Sequence, residues 1–207
     1  MKRWRAALMV LLVPTSLYAD PIRIVDTGPG PDGRVGGFSL GPLQSVAVEF
    51  PVNAAAVISG AQGWMSVFNP GGLLDFALYR GGGDVPGDLL FRSTGRVSGG
   101  NAAWRGLSTL AWPVTPGTYW LGFEAHGTDP MNGTLPFPSQ RPLRNGAVID
   151  RESDGGYQAA DEVARIGVRI FAASGASPTP EPTSILLLAT AAALVARRQL
   201  ASMKQRR

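Results

Sequence analysis

The sequence contains no cysteine and a single histidine, His126. The absence of cysteine excludes disulfide bonds, thiolate metal ligands and a cysteine nucleophile. Catalytic zinc sites usually take two or three histidines as ligands, which one histidine cannot supply. We therefore expect a fold that is stabilised by packing or by bound ions, and we assign it no cofactor and no metal site.

Lysine is absent between Asp20 and Pro178, although the whole chain of 207 residues has a net charge of +4 and an isoelectric point of about 10.0. That stretch contains 11 arginines against 14 acidic residues, so the excess of basic residues lies at the two ends of the chain. Binding to nucleic acid requires basic residues that cluster on one face of a domain. The distribution therefore predicts no nucleic-acid partner. The length suits one domain with its own core.

Residues 1–19 have the order of a secretory signal peptide. A basic start is followed by an apolar stretch at 6–13 and then by small and turn-forming residues up to Ala19. The apolar stretch is too short to span a bilayer, which takes about 20 apolar residues. We predict cleavage after Ala19, so that the exported protein begins at Asp20.

A second apolar run, residues 183–196, lies near the C-terminus and is followed directly by Arg197 and Arg198. As a helix it would measure about 21 Å, which is less than the hydrocarbon core of about 30 Å. The two arginines would stop transfer and extend their charged groups to the lipid phosphates. Positive charge after the run predicts that residues 197–207 are cytoplasmic and that the body is outside. We therefore expect a marginal transmembrane helix.

Pro180, Glu181 and Pro182 stand directly before this run, in a linker of small residues and prolines at 174–182. The prolines stop the helix from extending upstream and hold Glu181 in an extended, accessible segment. The order of Pro-Glu-Pro motif, apolar run and arginine cluster resembles the PEP-CTERM sorting signal of Gram-negative bacteria. The resemblance implies that an exosortase, a membrane transpeptidase-like enzyme, recognises the three residues and cuts near them. It also implies surface display or release, commonly in bacteria that produce exopolysaccharide.

The body of the chain, residues 20–173, alternates apolar and polar residues with a period of two. This alternation is clearest in LQSVAVEF at 43–50, LLDFALYR at 73–80, GTYWLGFEA at 117–125 and RIGVRIFA at 165–172. It predicts antiparallel strands with one buried face and one face in water, and it places Trp120, Gly122 and Glu124 on the face in water. Pro-Gly turns and the lack of a helical period favour a jelly-roll-like β-sandwich of about eight to ten strands.

Several strings in the body, among them VAVEF, FALYR and PGTYWLGFEA, resemble the extracellular β-sandwich domains that often precede PEP-CTERM signals. This resemblance implies a shape and a location rather than an activity.

His126 is the first candidate for chemistry in the body. A Ser-His-Asp triad would use it with Glu124 or Asp129 to orient the imidazole ring. A loop residue at the end of a strand is the simpler interpretation of its position in EAHGTDP. We therefore assign no catalytic residue and predict that the protein is not an enzyme, with a hydrolase as a remaining alternative.

The stretch DRESDGGYQAAD, from Asp150 to Asp161, has acidic residues at the spacing of a calcium loop. Glu152 and Asp154 stand at positions three and five of the loop, and Gly155 stands at position six. The glutamate at position three is long, an aspartate replaces glutamate at position twelve, and no helices flank the stretch. Calcium binding and a solvated acidic turn both stay open here, so none of these residues is assigned as a ligand.

Four tryptophans of the body are candidates for a platform on which sugar rings stack: Trp64, Trp104, Trp112 and Trp120. Such a platform needs at least two exposed, coplanar rings. A carbohydrate-binding module is therefore one alternative function. The interpretation that we favour is a structural or adhesive protein of the Gram-negative surface or matrix, held first in the inner membrane, then sorted by an exosortase-like enzyme and associated with exopolysaccharide.

Overall fold

A computed structural model describes residues 20–31, 36–125, 127–136, 143, 146–150, 156–160 and 165–174. These residues form eleven strands and no α-helix, and every pairing between the strands is antiparallel. The prediction of an antiparallel all-β protein is confirmed. The strands are β1 Ile22–Asp26, β2 Gly37–Leu40, β3 Gln44–Val52, β4 Ala56–Gly81, β5 Pro86–Leu107, β6 Trp112–Val114, β7 Gly117–Glu124, β8 Gly133–Pro136, β9 Gly146–Asp150, β10 Gln158–Ala159 and β11 Val168–Ala172.

The long hairpin of β4 and β5 organises the sheet, whose strand order is β1-β11-β4-β7-β3-β9-β10. The first part of β4, up to Met65, pairs with β11 and β6, whereas the second part, from Asp75, pairs with β7. Strand β5 pairs with both parts, but the register shifts between Met65 and Gly71. Such irregularities bend a ribbon and increase its twist, which lets one sheet curl.

Side chains from both parts of the curled sheet meet in one core. Ile58 and Met65 of the first part of β4 belong to the same buried cluster as Phe76 of the second part. In that cluster Phe76 packs edge to face on Phe123 of β7, with ring centroids 5.6 Å apart. The prediction of the inward face is confirmed in the four alternating segments, because the apolar residues assigned to it are all buried: Val46, Val48, Phe50, Leu74, Phe76, Leu78, Tyr119, Leu121, Phe123, Ile166, Val168 and Ile170.

The prediction that the other face lies in water is wrong for β7, and also for Ser45 and Ala47 of β3 and Asp75 and Ala77 of β4, which are buried. Trp120 is fully buried, and Glu124 is only 2% exposed. The outer face of β7 is covered because Tyr79, Val85 and Tyr157 pack over Trp120. Strand β7 also lies between β3 and β4, so both of its long edges are occupied.

The first and last strands of the domain are neighbours. Strand β1 pairs with β11, and Ile22 stands opposite Ala172. The chain therefore enters and leaves the sheet at the same end, which we call the terminal end. Within the described ranges, no helix is both long and apolar enough to span a membrane.

Candidate functional site

Two buried carboxylates face each other on the outer face of the sheet. Asp75 of β4 stands opposite Glu124 of β7, and the two residues are 6% and 2% exposed. Burial of an ionised carboxylate is costly unless the charge is paired and hydrogen-bonded. The partners of these two groups therefore decide what the site can do.

Arg92 of β5 joins the two carboxylates. Its Nη2 donates to Glu124 Oε2 at 2.8 Å, and its Nε lies 3.4 Å from Asp75 Oδ2. Thr94, which is opposite Asp75 in the β4–β5 register, donates its hydroxyl to Asp75 Oδ1 at 2.6 Å. Partial burial acts to lower the pKa of Arg92, but Glu124, Tyr79 and Asp75 together raise that pKa overall, so the guanidinium stays charged.

Two tyrosines donate hydrogen bonds to the second carboxylate oxygen of Glu124, Oε1. The hydroxyl of Tyr79 donates to Glu124 Oε1, and the hydroxyl of Tyr157 donates to the same atom at 3.0 Å. The tyrosine rings pack edge to face with centroids 5.6 Å apart. Gly122 leaves the space for this arrangement, because a Cβ at that position would lie 2.9 Å from the Tyr157 hydroxyl and 3.1 Å from Glu124 Oε1.

Both phenols are held in their protonated form. Burial and the hydrogen bond to Glu124 raise the pKa of Tyr79 to about 12, and burial together with the charge of Glu124 raises the pKa of Tyr157 above its ordinary value. Neither tyrosine can therefore act as a base near neutral pH. Each oxygen of Glu124 already accepts a hydrogen bond, and the arrangement fixes Tyr157 and its segment, 156–160, to the sheet.

The cluster formed by Asp75, Tyr79, Arg92, Glu124 and Tyr157, which we call the Glu124 cluster, does not have the composition of a metal centre. In the part of the chain that the structure describes, no group of three or more histidine, cysteine, aspartate or glutamate side chains comes together. The two carboxylates of the cluster are bridged by a cation of the protein itself, Arg92.

Trp112 and Trp120 are part of the interior. Both are buried, and Trp112 stacks on Phe91 with the ring planes 10° apart and the centroids 6.1 Å apart. Neither indole is available to a sugar ring.

Trp64 and Trp104 are partly buried neighbours on β4 and β5. Their rings meet edge to face at 68°, and the guanidinium carbon of Arg169 lies 4.0 Å from the centroid of a Trp104 ring. The four tryptophans proposed for stacking therefore do not provide two exposed, coplanar rings. The platform that the carbohydrate-binding alternative required is not formed by these residues.

The other predicted site residues lie outside the described residues. This holds for the cleavage position Ala19, for His126, and for Glu152, Asp154, Gly155 and Asp161 of the acidic stretch. It also holds for the sorting motif and the stop-transfer pair: Pro180, Glu181, Pro182, Arg197 and Arg198. The signal peptide at 1–19 and the helix predicted at 183–196 therefore stay predictions.

The sequence contains one further catalytic motif that is not among the predicted site residues. Residues 37–41 read Gly-Phe-Ser-Leu-Gly, the Gly-x-Ser-x-Gly spacing that marks the nucleophile of many hydrolases. In those enzymes the serine lies on a sharp turn from a strand to a helix. Here Ser39 lies within β2 and stands opposite Thr134 of β8, with no helix after it. The motif is part of a strand and not a nucleophile elbow.

An open groove of about 710 Å³ lies at the terminal end. Its walls carry no charged side chain and come from the start of β1, the turn between β3 and β4, strand β6 and the end of β11. Ile22 and Val57 line it and are 56% and 41% exposed. The groove at the terminal end is therefore mostly apolar.

Comparison of the chain with protein-family models, with curated proteins and with solved structures finds no match.

Proposed function

We propose that this protein is exported and sorted through its C-terminal Pro-Glu-Pro signal, and that its β-domain has a structural or adhesive role at the surface or in the matrix of a Gram-negative bacterium. An exosortase-like membrane enzyme would recognise Pro180, Glu181 and Pro182, and Arg197 and Arg198 would stop transfer before processing. At the surface or in the matrix, the protein would associate with exopolysaccharide. These assignments rest on the order of motif, apolar run and arginines in the sequence.

The pairing of Ile22 with Ala172 supports the arrangement that this proposal implies, because it sets the two ends of the domain side by side. A domain held by its C-terminal linker would therefore stand on its terminal end. The linker at 174–182 reaches about 30 Å when fully extended. The opposite end, where Leu43 and Phe68 are 55% and 47% exposed, then faces away from the membrane.

The lack of charge around the terminal groove supports the same orientation. A groove with uncharged walls can approach a membrane surface without electrostatic repulsion. All the side chains that line the groove are uncharged.

For the fold, we propose a jelly-roll-like β-sandwich. The first layer is formed by β1, β11 and the first part of β4, and the second layer is formed by the second part of β4 with β7, β3, β9 and β10. Both layers contribute to a single buried cluster, as a two-layer architecture requires.

A structural role is supported by the Glu124 cluster, the most strongly buried ionic group that the structure describes. Both of its carboxylates are bonded within the protein, to Arg92, Tyr79, Tyr157 and Thr94. A catalytic acid or base needs an open position towards substrate. The polar groups of the cluster bond to one another and, through Tyr157, hold the segment at 156–160 on the sheet.

The test is intact mass with terminal peptide mapping of the protein recovered from the envelope and the medium of its native host. We expect a polypeptide that begins at Asp20 and ends near Pro180. A chain that ends at Arg207 in the inner membrane would contradict sorting and make the tail a plain anchor.

A variant pair separates the motif from the general composition of the linker. The double substitution Pro180→Ala and Pro182→Ala should leave the chain intact to Arg207, because it removes the stiffness of the recognition peptide. The control is Pro178→Ala, which removes a linker proline outside the motif and should be processed normally. Equal processing of both variants would show that Pro-Glu-Pro is not the signal.

A further inference from the structure

A small trough lies on the outer face of the first layer, where β11, β4 and β5 run side by side. Its volume is about 230 Å³, and it is lined by Ser59, Gly60, Gln62, Leu107, Ser108 and Phe171 together with Pro21. Gly60 stands opposite Phe171, and Gln62 stands opposite Gly106, so the trough follows the register of the three strands. It lies outside the Glu124 cluster and shares no residue with the terminal groove.

Gly60 keeps the floor of the trough open. A Cβ at this position would lie 3.4 Å from Cδ2 of Phe171, 3.4 Å from Cα of Ser108 and 2.9 Å from the carbonyl oxygen of Leu107. Any side chain here would therefore fill the space between the aromatic wall and the opposite rim. Glycine within a strand often marks a position that something approaches closely.

The lining of the trough is uncharged and has two kinds of surface. Phe171, Leu107 and Pro21 are apolar, whereas Ser59, Gln62 and Ser108 carry hydroxyl and amide groups. The nearest cations in the register, Arg169 opposite Gln62 and Arg23 opposite Phe171, are both paired with Asp26, so an anionic ligand would compete with that carboxylate for them. A neutral ring with an apolar face and a rim of hydroxyl groups matches both surfaces.

The unpaired hydroxyl of Ser59 also favours a ligand that can form hydrogen bonds. Its oxygen is buried, and among the described residues no group forms a hydrogen bond with it. Buried polar atoms are nearly always satisfied, so an unpaired one calls for an explanation. Serine has three staggered rotamers, and rotation about χ1 is enough to redirect the hydroxyl towards a ligand.

We propose that this trough binds one ring of a neutral saccharide. The sugar packs its C–H face on Phe171 and exchanges hydrogen bonds with Ser59 and Gln62. The volume is below the range of about 300–1,000 Å³ that is usual for drug-sized ligands, which favours a single ring and a dissociation constant on the order of 1 mM. The site goes beyond the proposed function and does not depend on the sorting signal.

The test uses the full chain, purified in a zwitterionic detergent because glycoside detergents present a sugar themselves. The probes are the methyl glycosides of glucose, galactose and mannose, with glucuronic acid as a charged counterpart. Saturation-transfer NMR followed by a titration should show binding of at least one neutral probe and weaker binding of the acid. No binding of any neutral probe at about 10 mM would overturn the proposal.

Two variants identify the trough as the binding site. Ser59→Ala and Gln62→Ala should each weaken binding about tenfold, because each removes a hydrogen-bonding group from the lining. Ser59→Ala should also leave the unfolding temperature unchanged or raise it, since it deletes an unpaired buried hydroxyl. The control is Ser98→Ala, an exposed serine of β5 outside the trough, which should bind as the unmodified chain does. Binding that Ser59→Ala and Gln62→Ala leave unchanged would place the sugar elsewhere and refute the proposal.

Discussion

Replacement of Arg92 by methionine tests whether the Glu124 cluster holds the outer face of the sheet together. The substitution keeps most of the aliphatic stem of the side chain and removes its charge and its donors. Glu124 Oε2 would lose the donor at 2.8 Å, and Asp75 Oδ2 would lose the guanidinium at 3.4 Å. Two buried carboxylates would then face each other without the guanidinium that bridges them.

The structure sets the size of the expected effect. Removal of one partner from a buried ion pair costs about 3–5 kcal/mol. The Arg92 side chain is 39% exposed, and Tyr79, Tyr157 and Thr94 keep their bonds, so water and the remaining donors offset part of this cost. We therefore expect a loss of roughly 2–3 kcal/mol, since both carboxylates remain nearly inaccessible to water. For a chain of this length the loss corresponds to a fall in the unfolding temperature of about 5–10 °C.

The assay is thermal and urea unfolding followed by tryptophan fluorescence, with Arg96→Met as the matched control. Arg96 belongs to the same strand and also pairs with a carboxylate, at 2.5 Å from Asp129, but the two side chains are 61% and 47% exposed. An exposed pair contributes about 0–1 kcal/mol. If Arg92→Met and Arg96→Met lower the free energy of unfolding equally, the reasoning from burial is wrong.

Two further predictions concern Tyr79 and Arg105. The pKa of Tyr79 is raised from 10.0 to about 12, so the stability contributed by its protonated hydroxyl is present below pH 10 and is lost as the pH rises towards 12. Unfolding measured against pH should show a smaller loss in this window for Tyr79→Phe, and an identical loss would contradict the hydrogen bond to Glu124. Arg105→Met should cost about 2 kcal/mol in urea unfolding, again against Arg96→Met as control, because the guanidinium donates to the backbone carbonyls of Met65, Ser98, Gly99 and Asn101. A cost no larger than that of the control would show that these four bonds do not order the irregular part of the β4–β5 ribbon.

The inward face of the sheet could be predicted from the sequence because it depends on local order alone. Leu74, Phe76 and Leu78 alternate along one strand, and a strand sends successive side chains to opposite faces. The period of two does not say whether the second face is covered. The cover over Trp120 comes from Tyr157, which lies far along the chain, so the alternation of β7 could not reveal it.

A signal for the buried outer face of β7 was nevertheless present in its composition. Strands that are buried on both faces are continuously apolar rather than alternating. In TYWLGFEA the positions assigned to water hold a tryptophan and a glycine before the single carboxylate. A tryptophan at an apparently exposed position is a reason to expect a covering segment.

The Glu124 cluster itself could not be predicted from the sequence. Asp75 and Glu124 meet because of the register between β4 and β7, and Arg92 reaches both from a third strand. Register between distant strands is set by the packing of the whole sheet and leaves no short motif. The Gly-x-Ser-x-Gly spacing shows the reverse case, in which a recognisable motif has the wrong structural setting for its chemistry.

The pairing of β1 with β11 also determines when the protein can finish folding. Ile22 and Ala172 stand at opposite ends of the domain sequence, so their ladder closes one of the longest loops in the chain. A chain that crosses a membrane from its N-terminus would deliver β1 first and its partner last. The hairpin of β4 and β5 is local and can form early, but the edge that receives β11 stays open until nearly the whole domain has emerged. During that interval the open edge is the part of the molecule most exposed to aggregation.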